Sequence, residues 1–428
     1  MQTLLQLQNG ELSGATSLKL SEQLSTFPEE IFQLADTLEI LDLSRNKLSR
    51  LPDHFGLLKK LKIFFCSDND FTELPEVLSD CPLLDIVGFK SNRITTVLPK
   101  SINPNLRWLI LTNNKIDSIP LTIGDCARMQ KLMLAGNRLT ELPHTLQNCR
   151  NLGLLRISAN QIDRLPEWLL NMPKLSWLAF SGNPFVESPE IKPLDLISWD
   201  ELELNHVLGQ GASGIIYQAQ WIREDIKKHL AVKLFKGQVT SDGLPQDEMN
   251  TCITAGHHSG LVELLGQISN HPEDKKGLVM ELIPASFHNL GDPPSLESCT
   301  RDLFREGLKL EPEQALKIAS TIASVAAQLH SKNIMHGDLY AHNILIDADC
   351  NTLFSDFGAA SFYENSLIEK IEVRAFGYLL ADLINLCNID PRSLILANLQ
   401  KLQERCHDEV VVLRPTFKAI ELQLKIEL

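Results

Sequence analysis

Apolar and polar positions recur along the first half of the chain with a regular period. Asparagines stand 22 or 23 residues apart, each inside the frame L-x-x-L-x-L-x-x-N-x-L or a close variant: Asn46, Asn69, Asn92, Asn114, Asn137, Asn160 and Asn183. A unit of this length cannot bury its leucines alone, so successive units must stack. The pattern therefore predicts one short strand per unit, with each asparagine side chain satisfying backbone groups of the neighbouring turn.

This pattern resembles the leucine-rich repeat family over roughly residues 14–190. The resemblance implies a curved α/β solenoid with a parallel sheet on its concave face. We assign residues 1–190 to this domain, with about seven repeats of 22–23 residues. A degenerate copy, SLKLSEQLSTFP, precedes the first clear repeat and is expected to cap the N-terminal end.

The outward positions of the predicted strands are unusually apolar. We call them the apolar column, and it consists of Ile40, Ile63, Phe65, Ile86, Trp108 and Trp177. Large exposed apolar patches usually mark contacts, and aromatic residues are enriched at interfaces. We therefore predict that a protein substrate or regulator docks there. The competing interpretation is that Ile and Trp are present because they favour strands.

Three cysteines share one position of the repeat: Cys81, Cys126 and Cys149. Metal binding or disulfide formation is one interpretation. We favour the other, in which each cysteine is a small apolar residue stacked inside the solenoid, because buried cysteine behaves as a small hydrophobe.

The two halves are joined by a short segment that contains prolines. Asn183-Pro184 closes the last repeat, and Pro189 and Pro193 follow. Prolines stiffen a linker. We therefore assign residues 191–200 to a semi-rigid spacer and residues 201–428 to a second domain.

Four short motifs follow one another in this second domain. GQGASG has the spacing G-x-G-x-x-G, which lets backbone amides approach phosphates closely. LAVKLF supplies Lys233 in a run typical of a strand, HGDLYAHNIL supplies Asp338 and Asn343, and FSDFG supplies Asp356. Transfer of a γ-phosphoryl group needs one cation on the phosphates, two oxygen ligands for Mg²⁺ and one carboxylate beside the nucleophile. These residues are of those chemical types.

In this order the motifs resemble the protein kinase catalytic domain over roughly residues 200–428. The resemblance implies a bilobal α+β fold with ATP and Mg²⁺ as cofactors. Lys233 would hold the α- and β-phosphates and pair with Glu248, which we favour over the shorter Asp247. The residues implied to bind ATP lie in the glycine motif, on strands, and at the gatekeeper and hinge: Gly209, Gln210, Gly211, Ala212, Ser213, Gly214, Ile216, Ala231, Lys233, Met280, Glu281, Ile283 and Leu345.

The same resemblance implies the remaining catalytic roles. Asp338 would orient and deprotonate the acceptor hydroxyl, and Asn343 and Asp356 would ligate Mg²⁺. His342 stands where tyrosine kinases place an arginine, so it either replaces that donor to the γ-phosphate or only packs. A pseudokinase usually lacks at least one required group, and this chain lacks none. We therefore expect catalytic competence.

The chain also departs from the family pattern. Gly337 replaces the arginine that normally precedes the catalytic aspartate, which removes the cation that would receive an activation-loop phosphate. The segment after Asp356 is about half the expected length and contains no A-P-E triplet. Arg414 resembles the arginine that pairs with the glutamate of that triplet, and Glu364 and Glu369 are both candidate partners. These departures put the peptide-binding platform in doubt rather than the ATP chemistry.

Composition narrows the function classes. The 428 residues carry a formal net charge of −14, which gives no sign of the basic face of a nucleic-acid binder. The N-terminus lacks a secretory signal, no apolar run is long enough to span a membrane, and the nine cysteines show no C-x-x-C pairing. We expect a cytoplasmic location. The arrangement is similar to small repeat–kinase proteins, and a bacterial source is one option.

Three hypotheses about function remain open at this stage. The first is an ATP- and Mg²⁺-dependent protein kinase, with Ser/Thr acceptors favoured on family base rates, whose repeats recruit a protein. The second is a nucleotide-binding pseudokinase scaffold with little or no phosphotransfer, which the short activation segment favours. The third is a small-molecule kinase, which also needs no long peptide platform but leaves the repeat domain without an obvious purpose.

Overall fold

The computed structural model describes residues 2–187, 189–191, 194–211, 213–223, 226–236, 239–240, 242–388 and 392–427. Ala212 and Pro193, both singled out above, lie outside these residues. The chain divides into two compact units. The first comprises Met1–Lys174 and Asn183–Phe185, and the second comprises Leu175–Gly182 and Val186–Leu428.

The first unit is built on short parallel strands. After helix α1 (Leu4–Gln8), one strand comes from each repeat: β1 (Ser17–Lys19), β2 (Ile40–Asp42), β3 (Ile63–Phe65), β4 (Ile86–Gly88), β5 (Trp108–Ile110), β6 (Lys131–Met133) and β7 (Leu154–Arg156). Each strand pairs with the next one in chain order, with equivalent repeat positions in register. The repeat period therefore produces the parallel sheet that the sequence predicts.

Short helical turns return the chain from one strand to the next. Most are 3₁₀ turns, and the last is the α-helical turn α2: Glu29–Leu34, Phe55–Leu57, Glu76–Asp80, Pro99–Ser101, Leu121–Asp125, His144–Asn148 and α2 (Glu167–Leu170). A proline precedes or begins most of these turns, because its fixed φ suits the start of a helix and its missing N–H costs nothing there.

The repeat asparagines form a hydrogen-bonded ladder. In the first clear repeat, Asn46 Nδ2 donates to the carbonyls of Leu20 and Leu43 at 2.9 and 2.8 Å. Its Oδ1 accepts the amides of Glu22 and Leu24, both at 3.0 Å. The same pattern of a donor to the preceding turn recurs through the later repeats. Each unpaired buried group would cost about 1–3 kcal/mol, so the ladder is a requirement of the stack, as predicted.

The apolar column is only partly exposed, although the sequence predicts that all six of its residues face outward. Ile40, Ile63, Phe65 and Trp108 are half-buried. Ile86 is fully buried because Ile63 and Trp108 flank it in register. The sixth member, Trp177, is 1% exposed and stacks on Tyr340 of the second unit.

The cysteines of the repeat are structural. Cys81, Cys126 and Cys149 are buried free thiols, and burial raises the pKa of each, to about 12, 12 and 11. Each thiol points to a backbone carbonyl of the preceding turn. Among the described residues no cluster of three or more His, Cys, Asp or Glu side chains could hold a metal ion. The interpretation as small apolar core residues is confirmed.

The second unit begins with a strand that belongs, by sequence, to the last repeat. This strand is β8 (Trp177–Ala179). The chain then forms β9 (Leu196–Ser198), β10 (Leu202–Gln210), β11 (Gly214–Arg223), β12 (Ile226–Phe235), helix α3 (Pro245–Ala255), β13 (Leu264–Ser269) and β14 (Gly277–Glu281). The six strands form a mixed sheet in the order β10-β11-β12-β14-β13-β9.

The rest of the second unit is mainly helical. Its elements are β15 (His288–Asn289), α4 (Pro312–Ser331), β16 (Ile334–Met335), β17 (Ile344–Ile346), β18 (Thr352–Phe354), β19 (Ser361–Phe362), α5 (Leu367–Leu386), α6 (Leu394–Cys406) and α7 (Phe417–Glu427), with 3₁₀ turns at Trp199–Glu201, Ala341–Asn343, Phe357–Ala359 and Val411–Leu413. A capping box between Glu311 and Gln314, with Pro312 at the first position, fixes the start of α4. Within the described part of the chain, every helix is too short or too polar to cross a bilayer.

Candidate active site

A cavity of about 680 Å³ in the second unit gathers the sequence motifs. Its walls come from the β10–β11 turn, β12, α3, the segment after β14, and the segments around β17 and β18. Every residue predicted to bind ATP lines it, apart from Ala212, which lies outside the described residues. Glu248, His342, Asn343 and Asp356 line it as well.

The glycine motif leaves open space for a ligand. A Cβ atom built on Gly209 or Gly211 would meet no protein atom within 4 Å. At Gly214 the same atom would lie 2.6 Å from the carbonyl oxygen of Leu234, so this glycine is required by the close approach of β11 and β12. The close approach of β11 and β12 therefore explains why the third position is a glycine. The first two glycines leave space in which a phosphate can approach the backbone.

Lys233 on β12 forms an ion pair with Glu248 on α3. Both groups are largely buried, with side chains 13% and 2% exposed. Burial opposes the charge of Lys233, but the carboxylates of Glu248 and Asp356 outweigh it, and the pKa of Lys233 is raised. The lysine is therefore a fixed cation on the cavity wall. The neighbouring Asp247 does not take this place, and its pKa is raised by burial.

Asp338 and Asn343 are joined within the catalytic loop. Asn343 Nδ2 donates to the Oδ2 atom and to the backbone carbonyl of Asp338, both at 2.9 Å. Asn343 is held in turn by Ser355, whose amide and hydroxyl donate to the Asn343 carbonyl at 2.9 Å each. Asp356, the next residue, adopts a left-handed conformation at φ 62° and accepts the amide of Gly358. The cavity side of this arrangement therefore presents an amide oxygen and a carboxylate, the ligand types that Mg²⁺ prefers.

Glu372 on α5 holds the start of the catalytic loop. Its carboxylate accepts the amides of His336 and Gly337 at 3.1 and 2.7 Å, and it pairs with His330 Nε2 at 2.8 Å. Burial opposes the charge, but these partners outweigh it, and the pKa of Glu372 is lowered. Glu372 therefore holds the loop through its backbone.

Gly337 has no room for a side chain. Its φ is +76°, and a Cβ atom would lie 2.6 Å from the carbonyl oxygen of Ala359 and 2.8 Å from that of Leu178. The loss of the arginine at this position therefore has a steric reason.

His342 is bound by a residue that no motif indicated. Its Nδ1 lies 2.7 Å from the Oδ1 atom of Asp302. The other oxygen of Asp302 accepts the amides of Ala341 and His342 at 2.6 and 3.3 Å. Burial lowers the pKa of His342, but the pair with Asp302, together with the charges of Asp338 and Asp356, outweighs it, and the pKa is raised. Asp302 lies between β15 and α4, where sequence spacing gave no signal.

The segment between Asp356 and α5 is short and mostly packed. Ser361 is buried in β19, and the hydroxyl of Tyr363 lies 2.7 Å from His330 Nδ1. Ser366 is exposed at the start of α5. Ser361 is therefore not a solvent-exposed loop hydroxyl, because its strand pairs with β16.

Arg414 lies buried beside α5. Its guanidinium donates to the backbone carbonyls of Asp408 and Lys370 at 2.9 and 3.0 Å. Of its two candidate partners, Glu369 accepts the amide of Phe417, and Glu364 is exposed.

Family models match both halves of the chain. The model described as protein tyrosine and serine/threonine kinase matches residues 202–374. Models described as leucine rich repeat match residues 127–185 and 37–58. The chain contains leucine-rich repeats followed by a protein kinase domain. The resemblance drawn from the motifs and the fold class are therefore confirmed.

The curated relatives carry kinase names and share part of the chain. A protein of Acanthamoeba polyphaga mimivirus, named as a serine/threonine-protein kinase/receptor, is 29% identical over 177 residues, which is 40% of this chain and 10% of that protein. A protein of Dictyostelium discoideum named as a serine/threonine-protein kinase is 27% identical over 190 residues, 44% of this chain and 12% of its own length. The serine/threonine-protein kinase AtPK1/AtPK6 of Arabidopsis thaliana is 27% identical over 184 residues, 42% of this chain and 36% of that protein. The match thus spans about a tenth of the first two relatives and about a third of the plant kinase.

Proposed function

We propose that this chain is an ATP- and Mg²⁺-dependent protein kinase that phosphorylates serine or threonine. The observation that carries the proposal is the Lys233–Glu248 ion pair in a cavity that also contains Asn343 and Asp356, with Asp338 bonded to Asn343. These are the cation, the metal ligands and the carboxylate that phosphoryl transfer requires. The kinase family match and the names of the relatives support the same class.

The cavity would hold the nucleotide through groups of three kinds. Backbone amides of the glycine motif would approach the phosphates, and Lys233 would contact the α- and β-phosphates. At the hinge, the amide of Glu281 already donates to the carbonyl of Glu263, so the adenine would use the groups that follow, near Ile283. Mg²⁺ held by Asn343 and Asp356 would neutralise charge on the phosphates and orient the γ-phosphoryl group.

Asp338 would act on the acceptor. Its carboxylate would orient the acceptor hydroxyl and accept its proton as the oxygen bonds to the γ-phosphorus and the bond to the β–γ bridging oxygen breaks, releasing ADP. Asn343 holds this carboxylate in place by donating to its Oδ2 atom. Because Glu372 binds the adjacent backbone amides, the carboxylate is supported by a rigid helix rather than by a mobile loop.

His342 would supply a second cation near the γ-phosphate. It lines the cavity, and its raised pKa favours the imidazolium form. Nδ1 is engaged by Asp302, so Nε2 is the atom that would donate to a phosphate oxygen. The contact with Asp302 and the position of His342 in the cavity lining support donation over mere packing, the two options that the sequence leaves open.

The repeats would recruit a protein substrate or regulator. The half-buried members of the apolar column, Ile40, Ile63, Phe65 and Trp108, support this role, since apolar and aromatic residues are enriched at interface cores. Free thiols at Cys81, Cys126 and Cys149 suit a reducing, cytoplasmic compartment. The Ser/Thr acceptor follows the names of the relatives.

The proposal is tested by incubating the full chain with labelled MgATP and generic protein acceptors. We expect wild-type protein to transfer label to serine or threonine, and Asp338→Asn to transfer at least about 100-fold less, since removing a catalytic group typically costs that much or more. Equal label with both proteins would refute the proposal.

A nucleotide-binding scaffold is the second candidate, favoured by the short segment between Asp356 and the start of α5 at Leu367. It predicts Mg²⁺-dependent ATP binding by the same cavity with no transfer above the Asp338→Asn background. Calorimetric titration with ATP beside the transfer assay distinguishes the two.

A further inference from the structure

Trp177, the first residue of β8, is packed directly against the catalytic loop inside the second unit. Its indole ring stacks on Tyr340, with ring centroids 4.3 Å apart and an interplanar angle of 6°, and on Tyr378 at 5.2 Å and 17°. Its Nε1 donates to the carbonyl of Leu339 at 3.0 Å. Leu339 and Tyr340 are the two residues that directly follow Asp338. The side chain is therefore fixed by stacking on two tyrosine rings and by one hydrogen bond to the loop.

The rest of the same segment contacts neighbouring parts of the site. The amide of Phe180 lies 3.4 Å from the hydroxyl of Ser361, in the segment after Asp356. The carbonyl oxygen of Leu178 lies so close to Gly337 that a Cβ atom on this glycine would be only 2.8 Å from it. Strand β8 therefore approaches the loop at Gly337 and at Leu339, on either side of Asp338. The contact made by Trp177 is one of several between this segment and the site.

The stack is anchored at one end and reaches the cavity at the other. The Tyr378 ring packs under the guanidinium groups of Arg301 and Arg374, at 4.4 and 5.5 Å. At the other end, the Tyr340 ring lies 5.0 Å from the ring of His342. Aromatic rings at these separations attract one another beyond simple burial. A displacement of Trp177 would thus be transmitted to Tyr340 and to His342.

We propose that Trp177 is a positioning residue for the catalytic loop, setting the placement of Asp338 and His342 through the Leu339 carbonyl and the Tyr340 ring. The inference rests on the proposed kinase function and makes a residue of the last repeat part of the catalytic unit. Displacing a reacting group by about 1 Å can cost 100-fold in rate. Nucleotide binding, which relies on Lys233 and the glycine motif, does not use this stack.

The first arm of the test compares full-length variants in the transfer assay. Trp177→Leu removes the ring and the N–H, and Trp177→Phe keeps a ring but removes the N–H. Trp168→Leu is the matched control, at a half-buried tryptophan of α2 that lies outside the apolar column and the catalytic loop. We expect kcat, corrected for the folded fraction, to fall at least about tenfold in Trp177→Leu and less in Trp177→Phe. KM for ATP should stay within about threefold, and Trp168→Leu should match wild type. A kcat for Trp177→Leu within twofold of wild type, or a loss accounted for by unfolded protein, would overturn the proposal.

The second arm needs no turnover and separates this proposal from the proposed function. Amide hydrogen exchange is measured by mass spectrometry on wild type and the same variants. We expect peptides covering residues 337–343 to exchange faster in Trp177→Leu, with peptides of α4 unchanged and the same loop peptides unaffected in Trp168→Leu. Unchanged exchange in the catalytic-loop peptides would overturn the inference even if wild type is an active kinase. Faster exchange confined to them would support it even if wild type transfers no phosphate.

Discussion

The carboxylate of Asp302 lies 2.7 Å from Nδ1 of His342. The same carboxylate accepts two backbone amides at the turn that carries Asn343. Asp302, in the segment between β15 and α4, therefore stabilises the charged form of His342 and also holds the backbone of the catalytic loop. Because the Asp302 side chain is only 2% exposed, solvent screens this pair weakly.

The Asp302–His342 pair makes stability depend on pH. The pKa of His342 is raised in the folded protein, so the pair contributes stability that is fully present below the unfolded value, about 6.5, and is lost as the pH rises through the folded pKa. The free energy of unfolding of wild type, relative to His342→Gln, should therefore decline as the pH rises over this window. Urea denaturation from about pH 5.5 to 9 measures the difference. A difference that grows with pH would contradict the pairing.

Lys233→Met should abolish phosphoryl transfer, whereas the control substitution Lys228→Met should not. The substitution removes the cation of the cavity wall and leaves Glu248 buried without it, so ATP affinity should fall at least about tenfold and transfer about 100-fold or more. Lys228→Met is the matched control, since Lys228 is exposed on the same strand, β12. Calorimetric titration with ATP and the transfer assay report the two effects. Equal ATP affinity in the two variants would show that the ion pair does not serve the nucleotide.

Gly337→Ala should destabilise the second unit. The added Cβ atom would meet two carbonyl oxygens at 2.6 and 2.8 Å, in a left-handed backbone conformation, so the cost should be about 2 kcal/mol or more. Gly209→Ala, whose Cβ atom meets nothing within 4 Å, should unfold at the same denaturant concentration as wild type. A midpoint for Gly337→Ala indistinguishable from that control would mean that the loop relaxes.

Phosphorylation of the segment before α5 should not switch activity. Ser361 is buried, and Gly337 supplies no cation to receive a phosphate. Ser366 is the exposed hydroxyl, and both Ser366→Ala and Ser366→Glu should leave the rate of transfer within about threefold, less than about 1 kcal/mol in barrier height. A hundredfold change in folded protein with either substitution would show a phosphate-dependent switch.

Much of the fold could be predicted from the sequence, because it depends on local patterns of residues along the chain. The asparagine period predicted the parallel strands and the ladder, since each unit repeats the same contacts with its neighbour. The kinase motifs predicted which residues meet in the cavity, because each motif holds its backbone in a fixed way. Glu248 was separable from Asp247 by reach alone.

The errors and omissions share one cause: contacts between distant segments. Trp177 follows the same outward pattern as Trp108, and no strand pattern shows that the catalytic loop and α5 cover it. Asp302 lies 40 residues before His342 and outside any motif. The sequence indicated only that Gly337 replaces a cation. The structure shows that a glycine is required there, because backbone carbonyls of two other segments leave no room for a Cβ atom.

The most direct test of the kinase assignment is a phosphosite map of wild type and Asp338→Asn after incubation with MgATP and protein acceptors. Mass spectrometry identifies the modified residues and the acceptor type in one experiment. The account predicts phosphoserine or phosphothreonine that forms with wild type and falls at least about 100-fold with Asp338→Asn. Binding of MgATP by wild type with no phosphosite above the Asp338→Asn background would contradict it.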